Sequence, residues 1–179
     1  MIKSLILPLF LLVSYTGSQA QQTSLDQAAQ EYSKAQLSED VETLIDFTYP
    51  YVLQKSGGKE ALRNALVDII DFQKSTGVEL KEIKMGKAKK ITKSNGEIHA
   101  LIPVKSILDV PGGKLISENT LIAVSNENSG KWYFIDASVI DETNIHQYLP
   151  TWNGSISLFP KGSDEFVAKQ SERAISPHL

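Results

Sequence analysis

Two periodicities divide the chain. From Ser24 to about Gln73 apolar residues recur at three- and four-residue intervals, and from Val78 to Asp136 they alternate. The first spacing lays side chains along one stripe of an α-helix, the second along one face of a β-strand. The pattern predicts helices first and an antiparallel sheet after them.

In the helical part, Leu25, Ala28, Ala29 and Tyr32 keep helical spacing to about Leu37, behind Ser24-Leu25-Asp26-Gln27, which has the form of a capping box. Ser38-Glu39-Asp40 opens a second helix, with acidic groups near its positive end. Val41, Leu44, Ile45, Thr48 and Val52 share its face. Pro50 ends or kinks that helix around Tyr49, because proline lacks an N–H and crowds the preceding turn. After the break at Ser56-Gly57-Gly58, residues Leu62, Ala65, Leu66, Ile69 and Gln73 predict a third helix, closed by Gly77.

The sheet reads as four runs joined by three turns. In the first run Val78 and Leu80 fall on one parity and Ile83 and Met85 on the other, so a register slip near Glu82 or a bulge at Gly86 is expected. Asn95-Gly96 supplies two residues suited to positive φ for a type I′ hairpin. The second run places Ile98, Ala100, Ile102 and Val104 on one face and His99 and Leu101 on the other. Pro103 belongs at an edge or an irregularity, where its missing N–H takes nothing from the ladder. Pro111-Gly112-Gly113-Lys114 turns into a run from about Leu115 to Val124, and Asn126–Gly130 into the aromatic run Lys131–Asp136. These runs are apolar on both faces, so each face needs a cover. The helices supply one, and a second copy of the chain is a candidate for the other. Asp141–Tyr148 predicts a short helix, and Ile156, Leu158 and Phe159 a short strand or packing over the sheet edge.

Composition adds an address. Lys3, the apolar run Leu5–Val13 and Ser18-Gln19-Ala20 match the three regions of a cleaved secretory signal, with the cut expected after Ala20. The apolar run is shorter than the roughly 20 residues needed to cross a bilayer. The expected organisation is residues 1–20 as signal, 21–160 as a single α+β domain and 161–179 as a flexible tail, with Phe166 and Val167 its only bulky apolar pair before Ile175. The expected location is periplasmic or secreted. With no cysteine, disulfides, thiolate metal sites and thiol catalysis are excluded. The formal net charge is −3 and no basic stripe runs through the chain, which argues against nucleic acid. Lys84–Lys93 is locally basic and reads as a solvated strand face and turn.

Helices followed by a meander ending in Lys131-Trp132-Tyr133-Phe134-Ile135-Asp136, with Tyr49-Pro50-Tyr51-Val52 and Gly57-Gly58-Lys59-Glu60, resembles small exported bacterial members of the nuclear-transport-factor-2-like and ketosteroid-isomerase-like superfamily. The resemblance covers about Leu25 to Ile140. It implies a cone: a curved four-stranded sheet wrapped on the helices, an apolar cavity at the open end, and often a dimer through the outer sheet face. A cystatin-like sheet with a packed helix is the alternative fold. The superfamily includes enzymes, ligand binders and interaction modules, so function has to come from the site.

The candidate pocket residues are Tyr32, Tyr49, Tyr51, His99, Trp132, Phe134 and Asp136. Each tyrosine also reads as a core ring with its hydroxyl at the rim. Asp136, ahead of Ala137-Ser138, also reads as a turn residue. No His/Glu grouping has metal-ligand spacing, so no metal and no cofactor is expected. Gly57-Gly58-Lys59 lacks the full phosphate-loop pattern, and no Gly-x-Ser-x-Gly elbow is present. The expected function is non-catalytic binding of a small apolar ligand or an envelope protein. The alternatives are an isomerase- or hydratase-like enzyme using a buried carboxylate with a tyrosine donor, and an assembly protein.

Overall fold

The computed structural model describes residues 16–138, 140–158 and 162–169. The expected signal core lies outside them. Among the described residues four helices precede the sheet: α1 (Thr16–Leu37), α2 (Val41–Asp46), α3 (Pro50–Lys55) and α4 (Lys59–Thr76). The α2 start follows the acidic signal, with the Asp40 carboxylate accepting from Thr43 N at 3.2 Å. Pro50 stands at the first position of α3, where its missing N–H is harmless, and so divides the second predicted helix in two. Gly77 closes α4 at φ 71°.

The capping box does not form, because α1 begins upstream of it. Ser24 lies inside the helix instead. Its hydroxyl donates to Gln21 O at 2.9 Å and accepts from Trp132 Nε1 at 3.0 Å.

The sheet is antiparallel and has six strands rather than four: β1 (Glu79–Met85), β2 (Lys89–Ser94), β3 (Glu97–Val110), β4 (Gly113–Asn126), β5 (Trp132–Asp136) and β6 (Asp164–Ala168). Its spine is the long β3–β4 hairpin. Asn95 and Gly96, at φ 50° and 79°, make the β2–β3 turn as the sequence predicts. The other strands flank half the hairpin each. One arm carries β2 beside Glu97–Leu101 and β5 beside Leu121–Ser125. The other carries β1 beside Val104–Asp109 and β6 beside Gly113–Ser117. Asp164–Ala168, within the expected flexible tail, thus form a strand.

Between the arms lies a waist where both edges are interrupted. Pro103 sits in the gap between β1 and β2, so its lack of an N–H removes no ladder bond, and its carbonyl accepts from Gly86 N at 2.8 Å. A Cβ on Gly86 would stand 2.7 Å from Pro103 Cγ, so the approach needs glycine. The first predicted run therefore breaks twice, by a register shift between Leu80 and Glu82 and by this gap.

Each face of the β2–β5 arm has its own core. On the helix side, Leu25 and Ala29 of α1 pack on Ile98, Ala100, Ile102, Leu121, Trp132 and Phe134. On the other side Leu101, Ile122, Val124 and Ile135 are covered by Ile140, Ile145, Leu149, Trp152 and Ile156. The second face of this arm is thus wrapped by the chain's own residues 140–158. That wrap is irregular apart from a short 3-10 helix, Ile145–Gln147, within the stretch expected to be helical.

Candidate functional site

The polar residues closest to an acid–base constellation lie beneath this wrap. Glu97 follows the Asn95-Gly96 turn, and His99, two residues on, shares its face. Tyr49, held beside β5 by the bond from Phe134 N to Phe47 O, donates its hydroxyl to Glu97 Oε1 at 2.9 Å. Thr151 Oγ1 donates to Glu97 Oε2 at 2.5 Å, and His99 Nε2 lies 3.3 Å from both atoms. Ser94 Oγ binds Thr151 O at 2.6 Å. The Trp152 ring stacks on His99, with centroids 5.7 Å apart at 14°.

Burial holds the His99 imidazole below its ordinary pKa, with Glu97 pulling the other way. Burial, and then the Glu97 carboxylate, push the Tyr49 hydroxyl up to about 12. The set has the carboxylate and tyrosine donor of the enzyme alternative. Yet His99 is 0% exposed, and both Glu97 oxygens already accept bonds from the chain. In this closed state the cluster clamps residues 149–152 onto the β2–β3 tip.

The structure brings Tyr49 and His99 together and separates the other candidates. Tyr32, Trp132 and Phe134 belong to the helix-side core, where the Tyr32 and Phe134 rings are 4.8 Å apart. Burial pushes the Tyr32 hydroxyl up to about 12. Tyr51 is half-buried, with Lys55 Nζ 5.3 Å from its ring centre. Asp136 is exposed and accepts from Ser138 N at 2.7 Å, the turn role weighed from the sequence. Sequence reasoning missed Glu97, Thr151 and Trp152. For Glu97 a signal existed: period two places it beside His99 on one strand face.

An open space lies at the waist. A groove of about 460 Å³ is lined by Met85, Gly86, Pro103 and Val104, by Lys84, Lys89 and Lys105, and by Glu118, Asn119, Thr120 and Gly162. Lys105 Nζ is 3.2 Å from Glu118 Oε1, and Lys84 pairs with Glu82. Among the described residues, no group of three His, Asp or Glu side chains could hold a metal ion. No described helix is long and apolar enough to cross a membrane.

No protein-family model matches the chain, and no curated protein matches it. Among solved structures it is similar to a ketosteroid isomerase-like protein from Erwinia carotovora atroseptica SCRI1043. That match has 13% identity and a TM-score of 0.42, and covers 63% of this chain and 89% of that one. The chain is also similar to an M. tuberculosis LEH-like epoxide hydrolase, at 14% identity and a TM-score of 0.33, over 73% of this chain and 95% of that one. At these scores neither likeness carries an activity or a residue role to this chain. Its own order, helices and then an antiparallel sheet, is the α+β plan that the resemblance implied.

Proposed function

We propose that this chain is an exported, non-catalytic binding module whose ligand seat is the groove at the waist of the sheet. One observation carries the reading: side chains of the same molecule fill both faces of the β2–β5 arm, while the waist keeps a groove of about 460 Å³. That volume lies within the roughly 300–1,000 Å³ of small-molecule pockets. Among the described residues, the one carboxylate that lines it, Glu118, is paired with Lys105, and no histidine or tyrosine lines it. The enzyme alternative needs a carboxylate within reach of bound substrate, and the tyrosine-bonded Glu97 sits under the wrap instead. Export rests on Lys3, Leu5–Val13 and the small residues before Gln21.

The test is a titration of the protein with decanol and decanoate, followed by amide-resolved NMR. Saturable shifts at Met85, Gly86, Val104 and Thr120 are expected. Shifts gathered at Glu97, His99 and Thr151 would favour the acid–base alternative and overturn the proposal.

A further inference from the structure

Lys169 N donates to Gly112 O and Glu118 N to Ser163 O, so the odd-numbered residues of the β6 segment turn their backbone groups toward β4. Backbone N–H and C=O groups alternate sides along a strand, so those of Asp164, Phe166 and Ala168 point outward. Among the described residues β6 pairs with β4 alone, and no other backbone bond reaches this outer edge. The remaining edges are guarded. Phe134 N of β5 binds Phe47 O, and β1 and β2 each carry a register shift, which spoils an edge for pairing. By contrast β6 keeps an unbroken register and contains no proline or glycine. All its residues are exposed, Phe166 by 56% and Val167 by 44%. Such an edge is a template for another strand. Two features name the strand that fits. Cross-strand pairing sets Leu80, Leu108, Leu115 and Phe166 in one row, and Phe166 ends that row at the open edge. The strand also begins with Asp164 and Glu165 and is followed by Lys169. An antiparallel copy brings its basic end to this acidic end, whereas a parallel copy sets like charge beside like.

We infer that β6 pairs antiparallel with β6 of a second copy of this chain, about a two-fold axis at Phe166, joining the two sheets edge to edge. In this register Asp164 meets the partner's Ala168, Phe166 meets the partner's Phe166, and every outward residue of the strand exchanges backbone bonds. The row from Leu80 to Phe166 runs on into the same row of the partner, and the two Phe166 rings meet as a cross-strand aromatic pair. Glu165 lies diagonal to the partner's Lys169, within reach of long side chains. A contact of one short strand is small, so the dimer is weak and dissociates on dilution. It uses an edge of the sheet, not its outer face.

The experiment is sedimentation equilibrium of the protein from about 5 μM to about 1 mM, with amide hydrogen exchange at both ends of that range. A shift from monomer to dimer is expected. Protection should rise with concentration at Asp164, Phe166 and Ala168, and much less at Glu165 and Val167, which already bond β4. Ala168→Pro removes an outward N–H and no bond to β4, so it should abolish the dimer while Glu165 and Val167 stay protected. Glu165→Lys and Lys169→Glu should each weaken association about tenfold, and the two together should restore it. A chain that stays monomeric to about 1 mM would overturn the self-pairing and leave the edge to a strand of another protein. A dimer that survives Ala168→Pro and both charge reversals, with no added protection at the outward amides, would also overturn it and move the contact to another surface. Failure of the double charge exchange to restore a dimer lost in the single variants would overturn the antiparallel register.

Discussion

Trp152→Ala is the sharpest probe of the wrap on the second face. Trp152 is 4% exposed and lies flat on His99, which is wholly buried. Truncating a buried tryptophan to alanine costs about 3–5 kcal/mol, set by how far the site can collapse. Trp152 Nε1 has no hydrogen-bond partner among the described residues, so no hydrogen bond is lost with the ring. That places the expectation near about 3 kcal/mol. Domains are stable by about 5–15 kcal/mol, and urea slopes are about 1–3 kcal/mol per molar. The urea midpoint should therefore fall by about 1.5 M, followed by far-UV circular dichroism. Trp152→Phe keeps an aromatic ring over His99 and discards the unpartnered N–H, so its loss should stay below about 1.5 kcal/mol. The alanine variant also opens His99 to water, and the imidazole's NMR titration midpoint should climb toward its ordinary value. A midpoint shift under about 0.3 M, with an unchanged His99 titration, would mean that residues 149–158 do not cover this face.

His99 and Ser24 give two more expectations. Burial depresses the His99 pKa, so the unfolded chain takes up the proton first. The associated stability is full above the ordinary histidine value near 6.5 and is lost as pH falls below it. Urea midpoints measured from about pH 7.5 down to about pH 5 should fall less steeply in His99→Gln; an identical slope refutes this. Ser24→Ala leaves the buried Trp132 indole donor without its acceptor and should cost about 1–3 kcal/mol. In a Trp132→Phe background the same change should be close to neutral, and additivity of the two in a double-mutant cycle would sink the pairing.

Local chemistry was legible in the sequence wherever one residue type decides the backbone. Asn95-Gly96 forms its turn, Pro50 separates α2 from α3, Gly77 caps α4, and Pro103 falls at an irregularity. Ser24 misled because its capping pattern is equally compatible with a helix interior, where the hydroxyl bonds the preceding turn. The wrap had no signal, since Ile140, Ile145, Leu149, Trp152 and Ile156 lie on irregular backbone and keep no period. The two polar sites depend on pairs far apart in sequence. Glu97 meets Thr151, and Lys84 faces Lys105, through tertiary docking and strand register that no local window contains. The basic Lys84–Lys93 stretch was visible, but its place beside Lys105 at a groove was not.

The divided spine has a consequence for how the molecule breathes. In β3, Ile98–Ile102 are buried between two cores, whereas Ser106–Val110 are half-buried, in the arm whose outer strand β6 is exposed throughout. Opening free energies follow such differences in burial, so one continuous strand spans two cooperative units. Amide exchange at Ala100 and Ile122 should require global unfolding. The β1–β6 end should fray by sub-global opening that leaves both cores intact, with the interruption at Pro103 and Gly86 as the boundary where that unzipping stops.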